Sequence, residues 1–297
     1  RYLKLSAAKE NSNAGINVSS TLKWLQNPKY YDEIIIDEAQ DIDITRYREI
    51  NKYAPIISYG ADKDQGLFLG CTLNELRSEF PNNKSYFLDK NYRSTQKIIR
   101  CAKRCFDEVV VANDYANNHG ELPILLISNG ENYQISNEQQ DYAILNIIEE
   151  LTSDTHNIAV LLPWKKHVIY FYDIVKAKFP NCSRYYEDFS DFPVGCNEIS
   201  NIHLTTFKSA KGLEFDTVII PNFHKITEIE NMPEHFNIMW NDYYVGITRA
   251  KSNLYLISNH DLPYLNSVVD KSYIDNAQND SKTELSTEWD ELSDLPF

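Results

Sequence analysis

Several features that define common protein classes are missing from this sequence of 297 residues. No apolar run approaches the roughly 18 residues that a membrane-spanning helix needs, and the opening segment RYLKLSAAKE contains no signal-peptide apolar region. The five cysteines form no CxxC pair, and their odd number argues against a disulfide framework. The seven histidines show no HExxH or comparable metal-ligand spacing. We therefore expect a cytoplasmic protein with reduced cysteines and no membrane partner.

Two further shortages concern nucleotides and nucleic acids. The pattern GxxxxGK[ST], in which backbone amides and a lysine bind phosphates, occurs nowhere in the chain. A complete P-loop site is therefore excluded for this chain taken alone. The formal net charge of -14 argues against an extensive basic surface for nucleic acid. Much of the acidic excess falls after residue 261, so a basic groove can still exist in the preceding part.

The sequence does contain an alternation of short apolar runs and helical segments. The runs LPILLIS, NIAVLLPW, TVIIPNF and NLYLISN have the length and composition of buried strands. Segments such as STQKIIRCAKRCFDEVV, NEQQDYAILNIIEEL and WKKHVIYFYDIVKAKF predict helices before or between them. Strands that alternate with helices predict βαβ units, and therefore an α/β fold with a parallel sheet flanked by helices.

The segment YDEIIIDEAQD, residues 31–41, is an apolar run that ends in adjacent carboxylates. Its three successive isoleucines predict a strand buried on both faces, directly followed by Asp37 and Glu38. Open parallel sheets bind ligands at the carboxyl ends of their strands. There, one carboxylate could hold Mg²⁺ through its water shell while the other activates a water that attacks a phosphate. Taken by itself, such a pair is also typical of a solvated loop after a core strand.

Four other segments favour the functional interpretation of the two carboxylates over the solvated loop. They are GADKDQGLF, LDKNYRST, LTTFKSAKGLEFDTVIIP and YYVGITRAK. Together with IIIDEAQD, and in this order, they closely resemble the later motifs of the UvrD/Rep-like branch of superfamily 1 helicases. The resemblance covers about residues 31–258. It implies a pair of RecA-like domains of the P-loop NTPase helicase type, the first incomplete here, with ATP and Mg²⁺ as cofactors and ATP hydrolysis between the two domains.

The resemblance implies a role in ATP hydrolysis for five matching residues. Asp37 would coordinate Mg²⁺, and Glu38 would be the general base for the attacking water. Gln65 would sense the γ-phosphate and couple it to the nucleic acid. Arg93 would touch the γ-phosphate, and Arg249 would act as an arginine finger. A guanidinium suits the last two roles because it can bind phosphate oxygens in a bidentate fashion.

Three more residues are implied in nucleotide binding. Tyr92 would stack on the adenine, Glu214 would lie near the ribose, and Gly212 would let the backbone approach the nucleotide closely. Tyr92 is equally well explained as a core aromatic, because the chain contains 20 tyrosines. An isolated Arg249 would likewise be explained by a surface salt bridge, and its place within VGITRAK favours the functional interpretation.

The resemblance also implies that Phe68, Thr206 and Lys208 contact nucleic acid, with two departures from the family. Phe68 replaces the usual tyrosine, and Gly70 stands where the family usually has a tryptophan that stacks on bases. In the fifth motif Lys208 replaces the usual histidine. One stacking platform is therefore lost, and we expect binding to depend more on charge and less on stacking.

The motif positions predict three regions. Residues 1–85 would be the carboxyl-terminal remnant of a first RecA-like domain, 86–260 a complete second domain, and 261–297 an acidic tail that could dock a protein partner. Only 36 residues precede Asp37, and the chain opens on Arg1, so we expect a fragment. Its missing amino-terminal helicase half would come in cis or from a second subunit, and the chain alone would be inactive. The large accessory domain common in this branch is also absent.

Our leading hypothesis is part of an ATP-dependent helicase or translocase acting on single-stranded DNA with 3′ to 5′ polarity, the polarity being implied by the resemblance alone. The alternative is an ATP-responsive, helicase-like switch subunit of a nuclease or defence complex, without strand unwinding. The acidic tail, the lost tryptophan and the missing accessory domain favour that alternative. A degenerate pseudo-helicase is a third possibility, but it conflicts with the retention of the charged motif residues.

Overall fold

The structure is a computed structural model that describes residues 21–62, 70–86, 93–105, 119–128, 133–185, 199–232 and 238–274. The chain divides into two units, Arg1–Asp89 and Lys90–Phe297. In the described ranges, no helix is long and apolar enough to span a membrane. The roles assigned above to residues 1–85 and 86–260 stay predictions.

A pair of parallel strands forms the centre of the first unit. The side chains that pack on one face of this pair come from both strands and from the helices that follow them, and they include Ile36, Tyr47 and Leu76. Glu33 lies opposite Ile56 in the strand pair. The elements are β1 (Glu33–Ile36), β2 (Ile56–Tyr59), α1 (Thr21–Gln26), α2 (Ile44–Ile50), α3 (Leu73–Glu79) and a short 3-10 turn at Ala39–Asp41.

The prediction that the strand before Asp37 is buried on both faces is wrong. Ile36 is buried, but Ile35 is 76% exposed, and Ile56 on the neighbouring strand is 55% exposed. Side chains alternate along a strand, so Ile35 and Ile56 share one face and Ile36 lies on the other. Helices cover only the second face in the described part of this unit. An apolar run predicts a strand, but it does not show how many faces other elements cover.

The second unit contains a parallel sheet, and its seven described strands run in the order β5-β6-β4-β7-β8-β3-β9. Every pairing in this sheet is parallel, so all the carboxyl ends meet at one edge. The strands are β3 (Ile124–Ile127), β4 (Ile158–Leu162), β5 (Ser183–Tyr185), β6 (Ile202–Thr206), β7 (Phe215–Ile220), β8 (Ala250–Ser258) and β9 (Asp270–Tyr273).

Helices cover both faces of the second sheet. Along the fully buried strand β4, Ala159 and Leu161 join one apolar cluster, while Val160 and Leu162 join the other. The predicted α/β fold, a parallel sheet flanked by helices, is therefore confirmed for the second unit, and its RecA-like character stays a prediction. The helices are α4 (Gln96–Arg104), α5 (Tyr133–Leu151), α6 (Lys165–Lys178) and α7 (Trp240–Ile247), with 3-10 segments at Phe223–Asn231 and Pro263–Leu265.

The predicted start of the acidic tail at residue 261 differs from the structure. Leu262 and Leu265 are buried in the apolar core of the second unit, and β9 pairs with β3. The second unit therefore extends at least to residue 274, and residues 275–297 lie outside the described residues. Strand β9 could not be predicted, because an exposed edge strand, DKSY, lacks the apolar character by which buried strands are found.

The cysteines in the described residues are buried free thiols. Burial raises the pKa of both the Cys71 and the Cys182 thiol to about 11. On α4 a hydrogen bond with the Cys101 side chain, together with burial, raises the pKa of the Cys105 thiol well above its usual value. These thiols are therefore neutral near pH 7, and their burial in the apolar clusters accounts for them.

Candidate functional site

The two acids of the first unit lie at the carboxyl end of β1, where the sequence predicts them. Asp37 is exposed and Glu38 is half-buried. Hydrogen bonds tie the segment after β1 to the segment after β2, because the Gly60 amide donates to Ile36 O and the Ala39 amide donates to Gly60 O, each at 2.9 Å. The acids are therefore carried on a fixed turn and not on a free loop.

The backbone at Glu38 is in the left-handed region, with φ 55° and ψ 46°. A residue other than glycine adopts this conformation at a cost of about 1 kcal/mol or more, unless its neighbours hold it there. The Glu38 amide donates to Asp37 Oδ1 at 3.0 Å, and the buried Tyr47 hydroxyl donates to Ala39 O at 2.7 Å. These contacts fix the direction in which the Glu38 side chain leaves the turn.

Gln40 is a buried residue that contacts the Glu38 carboxylate. Its Nε2 donates to Glu38 Oε2 at 2.8 Å, and its Oε1 accepts a hydrogen bond from the Asp62 amide at 3.1 Å. The side chain is 5% exposed. Sequence reasoning missed this residue, although its position two residues after Glu38 in DEAQD was a usable signal.

The first unit fits a magnesium ion that keeps most of its water ligands. In the described part of the chain, no group of three His, Cys, Asp or Glu side chains is arranged to hold a metal. Mg²⁺ commonly binds through one or two carboxylates, waters and substrate phosphates, and a dedicated protein cage is not needed. The exposed carboxylate of Asp37, at the end of β1, provides the hard oxygen ligand that such a site requires.

In the second unit, charged side chains from three separate motifs meet. Arg93 Nε lies 3.3 Å from Glu214 Oε2, and Lys251 Nζ lies 3.9 Å from Glu214 Oε1. Lys251 Nζ also lies 3.1 Å from Asp216 Oδ1. We call Arg93, Glu214, Asp216 and Lys251 the charged network. Arg93 and Glu214 were predicted as site residues, whereas Lys251 and Asp216 were not.

The charged network lies at the amino-terminal edge of the sheet. Glu214 directly precedes β7, and Lys251 lies at the start of β8. Arg93 is held nearby because the next residue, Ser94, donates from its hydroxyl to Ala250 O at 2.7 Å, and the Thr95 amide donates to Lys251 O at 3.2 Å. The segment before α4 is thus anchored on β8.

Gly212 is exposed and has φ 83°, a left-handed conformation that favours glycine. It lies in the connection between β6 and β7, two residues before Glu214. The predicted need for glycine at this position therefore has a conformational basis. Close approach to a nucleotide stays a prediction.

Arg249 is buried inside the second unit, at 1% exposure. Its Nε donates to Val245 O at 3.0 Å, and its Nη1 donates to Leu213 O at 3.3 Å. Its own carbonyl accepts a hydrogen bond from the Phe215 amide at 2.9 Å. The surface salt bridge considered from the sequence does not explain such a position. The arginine-finger role stays a prediction, and it requires the guanidinium to be uncovered before it can meet a phosphate.

Thr206 and Lys208 lie at the carboxyl end of β6, away from the amino-terminal edge that carries the charged network. Thr206 is 7% exposed. Its hydroxyl accepts a hydrogen bond from the Ser209 amide at 3.1 Å and donates one to the Ser209 hydroxyl at 3.0 Å. The Thr206 hydroxyl therefore stabilises the turn that carries the half-buried Lys208. Nucleic-acid contact by either residue stays a prediction.

A buried carboxylate, Asp242, lies near Lys208. Burial raises the pKa of Asp242 to about 6, and the charge of Lys208 opposes this rise. The Met239 amide donates to Asp242 Oδ2 at 2.7 Å, which caps the start of α7, and Oδ1 has no hydrogen-bond partner. The burial of Asp242 was not predicted, because an aspartate in WNDYYVG is expected to be solvated.

Gln65, Phe68 and Tyr92 lie outside the described residues. Gly70, at the position of the family's stacking tryptophan, is described and has a structural explanation. A Cβ placed on Gly70 would lie 2.0 Å from Gln40 O and 2.7 Å from Asp41 C. No side chain can be accommodated there unless the backbone of the 3-10 turn moves, so a stacking residue at this position is excluded in this conformation.

One region of the chain matches a known protein-family model. Residues 192–261 match the model of the UvrD-like helicase C-terminal domain. That range contains most of the predicted site residues of the second unit, namely Thr206, Lys208, Gly212, Glu214 and Arg249, and also Lys251.

Curated relatives extend the similarity over a larger part of the chain. An Acanthamoeba polyphaga mimivirus protein, named as an ATP-dependent DNA helicase, is 26% identical over 263 residues, which is 82% of this chain and 37% of the relative. A probable DNA helicase of Mycoplasma pneumoniae is 25% identical over 76% of this chain and 43% of its own length. The ATP-dependent DNA helicase PcrA of Staphylococcus epidermidis is 33% identical over 94 residues, 29% of this chain and 12% of the relative. The chain thus spans less than half the length of these relatives.

Among solved structures, the C-terminal domain of a possible DNA helicase from Lactobacillus plantarum matches with 21% identity and a TM-score of 0.38, covering 62% of this chain and 98% of that domain. The arterivirus nonstructural protein 10 helicase matches with 13% identity and a TM-score of 0.39, covering 82% of this chain and 43% of the viral protein.

Proposed function

We propose that this chain, in which residues 192–261 match the model of the UvrD-like helicase C-terminal domain, forms part of an ATP-dependent DNA helicase or translocase. The observation that carries the proposal is the charged network, because ion pairs of 3.1 to 3.9 Å join residues from three separated helicase-like motifs there. Convergence of distant sequence segments on one point is expected for a binding site and is not needed for the stability of the sheet.

The first unit would activate the attacking water. The Glu38 carboxylate would accept the proton of that water, while the hydrogen bond from Gln40 Nε2 fixes the carboxylate orientation. Asp37 would hold Mg²⁺, which when bound neutralises charge on the phosphates. The left-handed backbone of Glu38 allows two successive carboxylates to leave the turn in different directions, so that each can serve one of these roles.

The second unit would bind the nucleotide and stabilise charge on its phosphates. Arg93 and Lys251 supply the cations, and Glu214 holds both through its two carboxylate oxygens. A bound triphosphate would compete with Glu214 for Arg93, which would free that carboxylate to accept a hydrogen bond from the ribose. Tyr92 stacking on the adenine, Gln65 sensing the γ-phosphate and Arg249 acting as a finger belong to the same proposal.

The proposed nucleic acid is single-stranded DNA, with movement in the 3′ to 5′ direction. The helicase names of the relatives support DNA, and the motif resemblance supports the strand and the direction. Lys208, Thr206 and Phe68 would contact the backbone and bases. A cytoplasmic location and a protein partner for the acidic carboxyl-terminal segment are further parts of the proposal.

The proposed activity needs a phosphate-binding loop, and the 297 residues of this chain do not contain the usual pattern for one. The pattern GxxxxGK[ST] is absent, and the mimivirus relative is more than twice as long as the matched region. We propose that an amino-terminal helicase half supplies the loop, in cis or from a second subunit. The 297 residues alone would then hydrolyse no ATP.

The test is ATP hydrolysis by the full open reading frame that encodes this chain, with and without single-stranded DNA. Glu38→Gln should lower kcat at least about 100-fold, because a general base contributes that much or more, and should leave KM for ATP within about threefold. Glu33→Gln, which changes an exposed glutamate on the preceding strand β1, is the control and should behave as wild type.

Two results would contradict this proposal: a wild-type protein whose ATP hydrolysis is not stimulated by DNA, or full activity in Glu38→Gln. Displacement of streptavidin from the end of biotinylated DNA separates a translocase from an ATP-responsive switch, since a switch would hydrolyse ATP without displacing it. The relatives carry helicase names, so the switch alternative gains no support from them.

A further inference from the structure

We propose that Asp242 is a positioning residue and the counter-ion of Lys208, and that a nucleic-acid phosphate bound by Lys208 makes Asp242 take up a proton. The inference rests on the proposed function, because it gives Asp242 this role only if Lys208 contacts nucleic acid. It deepens that function by making the affinity for nucleic acid depend on pH through one buried carboxylate.

The turn that carries Lys208 packs directly on α7. Phe207 precedes Lys208, and the centroid of its ring lies 4.8 Å from that of the buried Tyr243 ring. A Cβ placed on Gly246 would lie 2.6 Å from Phe207 Cδ1, so helix and turn meet without a gap. Asp242, which precedes Tyr243 on α7, is therefore held at a fixed place beside the turn.

The carboxylate of Asp242 has one oxygen that is hydrogen-bonded and one that is not. The Met239 amide donates to Oδ2 at 2.7 Å, whereas Oδ1 makes no hydrogen bond in the described part of the chain. Asp242 is 0% exposed, so bulk water does not reach it. Such a carboxylate is stabilised either by a nearby cation or by a proton. The Lys208 ammonium is the cation in the free protein, and a proton is the alternative.

Lys208 is the charged group that acts on Asp242. Burial raises the pKa of Asp242 to about 6, and the charge of Lys208 opposes this rise. Among the described residues, no other charged side chain affects the pKa of Asp242. Glu228 and Tyr264 act on the adjacent Tyr243 instead. The Asp242 carboxylate therefore responds to what happens at Lys208.

A phosphate bound at Lys208 would change the charge around Asp242. Its oxygens would become the partners of the ammonium, and its negative charge would approach the carboxylate, so both effects raise the pKa of Asp242. The proton comes from solvent and adds to a carboxylate oxygen of Asp242, and no other bond is formed or broken. Because the complex has the higher pKa, affinity increases as pH falls through that pKa and levels off below about 6, the pKa in the free protein.

The test is the binding of a fluorescent oligothymidylate to the full open reading frame without nucleotide, measured by anisotropy from pH 6 to pH 8 at one salt concentration. The affinity of wild type, divided by that of Asp242→Asn, should fall at least about threefold over this range, since one proton can contribute up to about tenfold per pH unit. Asp242→Asn should bind more tightly than wild type at pH 8. Asp173→Asn, which removes an exposed carboxylate from the second unit, should keep the pH dependence of wild type.

Substitutions of lysine separate this contact from general charge. Lys208→Met should weaken binding at every pH and reduce the slope of log affinity against log salt by about 0.7, the value for one phosphate contact on a single strand. It should also remove the difference in pH dependence between Asp242 and Asn at position 242. Lys211→Met, which changes another half-buried lysine of the same connection, should retain that difference.

A readout without nucleic acid is the titration of the Asp242 carboxyl carbon, followed by NMR in the 297-residue chain labelled with 13C-aspartate. Lys208→Met should raise the pKa of Asp242, and Lys211→Met should leave it as in wild type. Equal titration of Asp242 in wild type and Lys208→Met would overturn the counter-ion assignment. A constant affinity ratio between wild type and Asp242→Asn would overturn the proton uptake. If wild type binds no single-stranded DNA, the proposed function fails, and the carboxyl titration still decides whether Lys208 and Asp242 interact.

Discussion

At the scale of single residues, the two units share one feature: a residue with left-handed backbone conformation, contacted by a buried glutamine, follows a strand. Glu38 and Asn222 are the non-glycine residues with positive φ among the described positions, and each is the second residue after a strand end. Each is also contacted by a buried glutamine, Gln40 in one unit and Gln140 in the other. A left-handed residue turns the chain sharply away from the sheet, and the glutamine holds it in that conformation.

The sequence predicted the chemistry of the site residues better than their contacts. Asp37 and Glu38 lie directly after β1 because an apolar run fixes where a strand ends. Lys251 could not be predicted from its own segment, since it contacts Glu214, 37 positions away. For Gln40 the contact with Glu38 is local, whereas its contact with the Asp62 amide, 22 positions away, could not be predicted. The burial of Arg249 was also unforeseen, because a charged side chain is expected at the surface unless its partners are known.

Asp242 gives a prediction about pH. Its pKa is about 6 in the folded protein, above its ordinary value of 3.8, so the folded state binds the proton more tightly than the unfolded state. The stability that the protonated form contributes is therefore lost as pH rises from about 4 through about 6. Between pH 4 and pH 7, the free energy of unfolding of wild type should fall by up to about 3 kcal/mol relative to that of Asp242→Asn.

Urea unfolding followed by tryptophan fluorescence measures this difference, because Trp164 and Trp240 pack against the core of the second unit. Asp173→Asn, which removes an exposed carboxylate from the same unit, controls for the change in net charge. A stability difference between wild type and Asp242→Asn that stays constant from pH 4 to pH 7 would show that the buried carboxylate is not responsible.

At the scale of elements, strand β1 gives a direct test of its one-sided burial. Ile36→Ala should cost about 2 to 4 kcal/mol of unfolding free energy, because Ile36 is buried at 6% exposure against α2 and α3. Ile35→Ala should cost less than about 0.5 kcal/mol, since Ile35 is 76% exposed. Urea unfolding monitored by exchange of amides in the first unit measures both.

The two isoleucines are adjacent and chemically identical, so each is the control for the other. Equal costs for the two substitutions would mean that the open face of β1 is covered in solution. Equal costs would also restore the burial on both faces that the sequence predicted.

Strands were predictable where both faces are covered. The runs around β4, β7 and β8 contain buried apolar residues in succession, which identified them. The edge strands β5 and β9 were missed because their sequences, SRY and DKSY, are short and polar. An edge strand has one neighbour and is partly solvated, so periodicity carries little information about it.

At the scale of the whole molecule, the proposed activity requires both units. The candidate base and the Asp37 carboxylate belong to the first unit, while the cations Arg93 and Lys251 belong to the second. Hydrolysis needs a base to activate water and cations to stabilise charge on the phosphates. Neither unit supplies both, which is why the proposed hydrolysis needs residues of the two units together.

The extent of the second unit leads to a prediction about truncation. A chain that stops after residue 260 loses β9 and the buried Leu262 and Leu265, whereas a chain that stops after residue 274 keeps them. Loss of two buried leucines costs several kcal/mol, and about 1 kcal/mol shifts Tm by roughly 2 to 4 °C in a unit of this size. The shorter chain should therefore melt at least about 5 °C below the chain that ends at 274.

Differential scanning calorimetry at one pH and protein concentration measures both truncated chains. Leu265→Ala in the longer chain separates core packing from strand pairing, since it keeps β9 and should lower Tm by only part of the difference. If both truncated chains melt at the same temperature, residues 261–274 do not belong to the core of the second unit, and the predicted tail would begin at 261 after all. A lower Tm for the shorter chain means that the docking segment proposed for a partner begins after residue 274. The preceding residues already pair with β3 or pack in the core of the second unit.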